Sequence, residues 1–342
     1  MTKITTIFKD TLSCEPILRR TPNGELLCIC QCGGTTEPAP ENRVCVFHSK
    51  DNGDTWSEPV SIYPEDGNAV YNTEVMVYNG IITAFLTLHS GRFLDWKCVM
   101  MQSADNGYTW INAGAPPHFP DFTFVRGMIE LNNGNILIPY QYYPITQEMN
   151  DNVVREKGTQ SGCWETKAPY VESGVIISCD NGESYQRYPA NKMDMSDGWI
   201  WSEPTIAELS DGMVSMIMRR CRSGWLWRCD SHDGGMTWSE VYNTNIPNPS
   251  NKPKLIKIPD GRIALIHTPN NNGMIDGKWA ERFPLSLWIS DDDMKSWSYK
   301  INLTDENQKG SYSYSDGIYE NGHILFTIEL NRKDILFFDH KI

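Results

Sequence analysis

The chain alternates short apolar runs with tight polar turns, and six segments share one form: an apolar run, a turn carrying glycine, and a second apolar run. The turns are Asn23-Gly24, Asn79-Gly80, Asn133-Gly134, Asp211-Gly212, Asp260-Gly261 and Asn321-Gly322. Asn-Gly or Asp-Gly between apolar runs is the strongest short-range hairpin signal, because both residue types tolerate positive φ. The paired runs span Pro16 to Cys30, Val75 to Thr87, Met128 to Tyr140, Pro204 to Met218, Lys254 to His267 and Ile318 to Ile328. Each pair is read as an inner strand A and a second strand B. A loop and a short apolar strand C follow, as in Val44-Cys45-Val46-Phe47, Val99-Met100-Met101 and Val175-Ile176-Ile177.

Strand C leads into a second pattern, Ser-x-Asp-x-Gly-x-Thr-Trp. It occurs in full at Ser49 to Trp56, Ser103 to Trp110 and Ser231 to Trp238. At Ser178 to Tyr185 the last two places hold Ser184 and Tyr185, and at Ser290 to Trp297 Met294 replaces the glycine. A unit recurring every fifty residues or so cannot bury its faces singly and must stack against its neighbours. Six turns imply six blades, so the expected fold is all-β: one six-bladed β-propeller of four-stranded antiparallel blades spanning residues 1–342. The marker falls at the C to D turn, where its Asp and Gly suit the turn and its Trp fits between sheets. The sixth blade has no marker after Ile328, and Thr5 to Phe8 is expected to complete it as the outer strand. Between Tyr140 and Tyr170 the pattern fades into a polar stretch, read as an irregular insertion loop over about 141–170 and a candidate lid or substrate rim.

Composition narrows the function. Lys and Arg number 30 against 43 Asp and Glu, a net charge of −13, which repels phosphate backbones and argues against nucleic acid as a partner. No apolar run approaches the length of a membrane helix, and the N-terminus lacks the apolar core of a secretory signal, so a cytoplasmic protein is expected. The ten cysteines show no zinc spacing, and Cys28, Cys30 and Cys32 at a period of two are read as small buried residues on one strand face. The sequence calls for no cofactor and shows no metal-ligand cluster.

Antiparallel geometry locates the chemistry. The start of A, the end of B and the start of C share one end of each sheet, and the Gly turns and markers lie at the other. The first end carries Glu15, Glu74, His89, Arg92, Arg126, Gln141, Tyr142, Glu203, Arg219, Arg220, Lys252, His267, Arg282, Tyr312, Tyr314 and Glu329. Glu203 and Arg219 stand almost equidistant from the Asp211-Gly212 turn and are expected side by side at the axis. Arg282 opens strand C of blade five, facing Ser311 to Asp316 at the start of strand A of blade six. Two arginines, a glutamate and a tyrosine therefore converge. An arginine pair binds a carboxylate, and a Glu beside a Tyr can take its phenolic proton, the equipment of a glycosidase for an acidic sugar.

These residues resemble the sialidase (neuraminidase) superfamily, in particular bacterial sialidase-like proteins with BNR or Asp-box repeats. The likeness rests on the Asp boxes, Glu203-Pro204 through Gly212 into Arg219, Ile246 to Asn251, Arg282 to Leu287, and Tyr312-Ser313-Tyr314-Ser315. The resemblance implies a six-bladed propeller and a retaining exoglycosidase that attacks with a tyrosine instead of a carboxylate. By position, Tyr314 would be the nucleophile and Glu203 the base that activates it. Arg219 and Arg282 would be two of three arginines holding the substrate carboxylate. The third is missing: Cys14-Glu15-Pro16 stands where the family carries Arg-Ile-Pro, and Glu15 there opposes a carboxylate. The family's acid lies in the first B to C loop, where Glu37 or Glu41 could substitute. Glu15, Glu74, His89, Arg126 and Tyr312 complete the candidate substrate-binding set, with a glycan or oligosaccharide as partner. Two other readings share these residues. One is a polysaccharide lyase on a uronic-acid linkage, with His89, His267 or a tyrosine as base. The other is a glycan-binding propeller without catalysis.

Overall fold

The computed structural model describes residues 2–117, 119–158, 166, 168–272 and 280–342. The first strand, β1 (Thr2–Lys9), belongs to the last blade. Blade one is β2 (Ser13–Arg20), β3 (Leu26–Cys32), β4 (Arg43–Ser49) and β5 (Val60–Ser61). Blade two is β6 (Ala69–Tyr78), β7 (Ile81–His89), β8 (Lys97–Ser103) and β9 (Ile111–Gly114). Blade three has a divided inner strand, β10 (Thr123–Val125) and β11 (Ile129–Glu130), then β12 (Ile136–Tyr142), β13 (Val171–Ser178) and β14 (Gln186–Met193). Blade four is β15 (Thr205–Glu208), β16 (Val214–Arg219), β17 (Trp225–Ser231) and β18 (Tyr242–Pro247). Blade five is β19 (Lys254–Lys257), β20 (Ile263–His267), β21 (Ser286–Ser290) and β22 (Tyr299–Asn302). Blade six is β23 (Tyr312–Glu320), β24 (His323–Leu330) and β25 (Asp334–Lys341), closed by β1, which pairs antiparallel with β25 from Thr2↔His340 to Lys9↔Asp334. The fold is the expected six-bladed propeller, and the N-terminal strand closes the ring, which leaves β25 no free edge.

The apolar residues fall into layers between blades. Ile17, Leu27 and Val46 meet Val75, Leu86 and Val99 between blades one and two. Cys28, Cys30, Cys32 and Phe47 meet Leu325, Ile335 and Phe337 between blades one and six. The cysteine run thus packs as the small buried residues its period of two predicted. The remaining interfaces carry layers of their own.

The six Gly turns are hairpins of two kinds. Asn79-Gly80 and Asn321-Gly322 are two-residue turns with both φ positive, joining Tyr78↔Ile81 and Glu320↔His323. In the other four only the glycine has positive φ, and the turn is wider, as where Thr21 and Glu25 close around Gly24. The five markers lie at the C to D turns. In each the Ser Oγ accepts the amide of the glycine position (Met294 in blade five) at 2.8 Å, and the Asp holds the Thr or Ser four residues on.

The stretch expected to be an irregular loop over about 141–170 instead holds a helix, α1 (Gln147–Lys157). Thr146 caps it by accepting the Met149 amide, Gly158 ends it at φ 85°, and its buried Asn150 bonds Leu94 O in the B to C loop of blade two. The composition, rich in Gln, Asn and Glu, gave no apolar stripe for such a helix, whose anchorage is polar. Gln141 and Tyr142 belong to β12, and of the expected loop residues 159–165 and 167 lie outside the described residues.

Candidate active site

The inner strands β2 and β23 break their alternation at one end of the axis. In β2 a bulge between Cys14 and Ile17 sets Glu15 and Pro16 opposite Cys30 alone; in β23 a bulge between Ser313 and Asp316 sets Tyr314 and Ser315 opposite Ile328. Glu15 and Tyr314 thus hold equivalent places in blades one and six. Glu203 precedes β15 in blade four. All three adopt left-handed backbone, at φ 51°, 57° and 43° respectively. Left-handed backbone on a side chain other than Gly or Asn costs on the order of 1–3 kcal/mol and persists where the surrounding fold imposes it. Here it turns a carboxylate, a phenol and a second carboxylate toward one space.

Arginines bind these groups together. Arg219 Nη1 lies 3.0 Å from Glu203 Oε2, while its Nε donates to Trp201 O at 2.6 Å and Nη1 to Ser250 O at 3.0 Å. Arg282 Nη2 donates to the same Ser250 carbonyl at 3.0 Å and Nη1 to Ser313 Oγ at 2.7 Å. One carbonyl, on a residue with φ 58° in the Asn248-Pro249-Ser250-Asn251 loop, therefore fixes both guanidiniums. Each guanidinium carbon stands 5.8 Å from the centre of the Tyr314 ring. Arg126 bridges Glu15 (2.9 Å) and Glu203 (3.6 Å) and donates to Tyr71 Oη at 3.1 Å. The Glu203 amide is fixed in turn by Gln141 Oε1 at 2.6 Å.

Burial raises the Tyr314 phenol well above its ordinary range; Glu203 adds to this, and Arg219 and Arg282 oppose it. Glu37 is raised as well, chiefly by burial, with Arg332 opposing. Glu329, fully buried, is pushed up to about 7 and accepts the Glu15 amide at 3.0 Å. A buried carboxyl whose hold on its proton is strengthened, a carboxylate held by arginine and a phenol between two guanidiniums are the parts of an acid, a base and a nucleophile.

Of the residues read from the sequence, Tyr314, Glu203, Arg219, Arg282, Arg126, Glu15 and Glu37 come together. Glu41 is exposed on its loop. Glu74 instead pairs with Arg19 in a separate buried network. His89 is buried among aromatic rings, 4.9 Å from Phe93 and 6.2 Å from Trp96, and burial lowers it to about 4. His267 packs likewise against Trp288 at 4.5 Å. Tyr312 donates to Gln308 O at 2.7 Å and lies in the apolar layer between blades five and six. Strand position alone put these four at the right end; the bulges and packing turned them elsewhere.

One residue escaped the sequence reading. Arg332, on the Asn331-Arg332 turn between β24 and β25, pairs with Glu37 and has Nη2 3.5 Å from Cys14 Sγ. The position where Cys14 stands for an arginine thus receives a guanidinium from another blade. A signal was present: this turn ends strand B of blade six, at the end of the sheet already chosen. Among the described residues no group of three or more His, Cys, Asp or Glu is placed to hold a metal ion.

Fold and site together define a sialidase-like six-bladed propeller. A model of the BNR repeat-like domain matches residues 24–326, and the chain belongs to that family. A sialidase of Clostridium perfringens is 27% identical over 322 residues, covering 83% of this chain and 76% of its own. Among solved structures, the Hadza microbial sialidase Hz136 superposes at a TM-score of 0.74 with 18% identity, over 99% of this chain and 68% of its own. A protein of unknown function from Dyadobacter fermentans gives 0.74 with 16% identity, over 100% and 99%. The intramolecular trans-sialidase of Ruminococcus gnavus, solved with oseltamivir carboxylate, gives 0.69 with 15% identity, over 100% and 97%. At these identities the superpositions speak for the fold.

Proposed function

We propose that the chain is an exo-acting glycoside hydrolase that removes a terminal acidic, sialic-acid-like sugar by way of a tyrosyl–sugar intermediate. The observation that carries this reading is the Tyr314 ring set 5.8 Å from two guanidiniums, one of them ion-paired to Glu203. Tyr314 Oη attacks the anomeric carbon while Glu203 takes the phenolic proton, and Glu37 protonates the departing oxygen. Water, activated by the Glu37 carboxylate, then attacks the same carbon, and Tyr314 recovers its proton from Glu203. A phenol raised by burial and Glu203 needs that base, since it does not ionise alone near neutral pH. Arg282 has no carboxylate partner within ion-pair distance among the described residues, and with Arg219 and Arg332 it supplies the positive side of the pocket. Arg332 takes the place of the arginine missing at Cys14. His89 and His267, two of the candidate bases for a lyase, sit in aromatic surroundings, which leaves a tyrosine as the base of that reading.

The test is mass spectrometry after exposure to a fluorinated sialosyl fluoride, with hydrolysis of an aryl α-sialoside measured in parallel. A sugar adduct mapped to Tyr314 is expected. Tyr314→Phe and Glu203→Gln should each lose roughly a thousandfold or more in kcat with the fold intact. Undiminished turnover in both variants would refute the assignment.

A further inference from the structure

The run Cys28-x-Cys30-x-Cys32 packs between blades one and six together with Cys45 of β4. Cys30 stands opposite Cys45 in the strand register and Cys32 stands opposite Arg43, so Cys32 and Cys45 are diagonal neighbours on one face of the sheet. Their sulfurs approach to 3.0 Å, Cys32 Sγ donating to Cys45 Sγ. Both are free thiols and both are buried. A disulfide bond is about 2.05 Å long, so the two sulfurs are only about 1 Å from bonding distance.

The pair marks the foot of the loop that carries Glu37. Cys32↔Arg43 is the last pairing of β3 with β4, and residues 33–42 between them make the B to C loop of blade one. Asn42 holds this loop from inside. Its Nδ2 donates to Gly33 O at 2.7 Å and to Thr36 O at 3.0 Å, and its Oδ1 accepts the Ala39 amide at 2.8 Å. Glu37 reaches from the same loop to Arg332. A bond between Cys32 and Cys45 closes the loop covalently at its two ends, and such a bond stabilises chiefly by constraining the unfolded chain. The hydrogen bond from Cys32 also holds Cys45 below the ordinary thiol range, with Arg43 assisting and burial opposing. The thiolate is the attacking species in disulfide exchange.

We propose that Cys32 and Cys45 are a dithiol that a small-molecule disulfide oxidises to a disulfide bond, stapling the foot of the loop that carries Glu37. The Cys45 thiolate attacks one sulfur of the reagent, which expels one reagent thiolate and leaves a mixed disulfide. Cys32 gives up its proton to water, attacks Cys45 Sγ and expels the second reagent thiolate. Two protein thiols are oxidised, and one reagent disulfide is reduced to two thiols. The staple is independent of the proposed hydrolysis.

The test incubates the folded protein with hydroxyethyl disulfide, unfolds it in N-ethylmaleimide to block the remaining thiols, and maps the tryptic peptides. Cleavage after Arg20, Arg43 and Lys50 puts Cys32 and Cys45 on separate peptides, 21–43 and 44–50. These two peptides should appear joined, with fragmentation placing the link on Cys32. The oxidised protein should melt roughly 4 °C above the reduced one, a gain that dithiothreitol reverses and that Cys32→Ala and Cys45→Ala both lack. No joined pair, or a link through Cys28 or Cys30, overturns the proposal, and the wild-type map decides this even where a variant does not fold. A link through Cys32 with no gain in Tm overturns it as well, since the bond then staples nothing.

Discussion

At the scale of single residues, the candidate site depends on how each charge is held. Arg282 is fixed by two neutral acceptors, Ser250 O and Ser313 Oγ, which leaves its charge for a substrate anion. Lysine keeps the charge but cannot keep both bonds and present a planar fork. Arg282→Lys should therefore raise KM roughly tenfold to a hundredfold, with a smaller change in kcat, as steady-state kinetics on an aryl sialoside would register. Glu329 gives a pH prediction. Its folded value of about 7 lies above its ordinary 4.5 because it is buried. The folded state binds this proton more tightly than the unfolded state, so the contribution is complete below about pH 4.5 and is lost as pH rises through 7. The span is on the order of 3 kcal/mol. Glu329→Gln should flatten that part of the stability curve in denaturant titrations across the window, and should be the more stable protein above pH 7.

At the scale of elements, the marker turns and the bulges do different work. In the marker of blade four, Gly235 has φ 97°, and a Cβ there would stand 3.0 Å from Leu137 and 3.1 Å from Val175 of blade three. Gly261, in a hairpin turn of blade five, has nearly the same φ, 96°, but open space around it. Gly261→Ala should cost about 1 kcal/mol from backbone strain alone. Gly235→Ala should cost on the order of 2–3 kcal/mol, the excess measuring contact between blades. Equal losses in urea titrations of the two variants would show that the marker does not clamp neighbouring blades. The hairpins and markers were legible in the sequence because Asn-Gly and Ser-x-Asp carry their geometry locally. The bulges at Glu15 and Tyr314 were not, because an extra residue in one strand is defined only against its partner. Residue type and strand position alone do not tell Tyr312 from Tyr314; the family resemblance singled out Tyr314, and pairing with β24 gives the physical difference, the bulge at Tyr314.

At the scale of the whole molecule, ring closure rests on one strand. β1 covers β25 along its length, and no covalent bond holds it there. Deleting residues 2–9 should expose the β25 edge, lower Tm by roughly 10 °C or more, and produce association visible in size-exclusion chromatography. An unchanged Tm would mean that five complete blades and one open blade carry the stability.

The sequence by itself determined the blade count, the strand order, the outer position of Thr5 to Phe8, and the end of the sheets where Glu203, Arg219, Arg282 and Tyr314 gather. Those features follow from residue periodicity and turn chemistry, which act over a few neighbours. It also brought Glu203 to Arg219 and Arg282 to the start of β23, because equal distances from a turn fix pairing. Only the tertiary structure decided that Arg332 reaches the place left by Cys14 and that Glu37 is the buried carboxyl of its loop. It decided likewise that Glu74 pairs with Arg19 in a separate buried network. These are contacts between blades far apart in the chain, set by the way six sheets meet at one axis, and no local pattern encodes them.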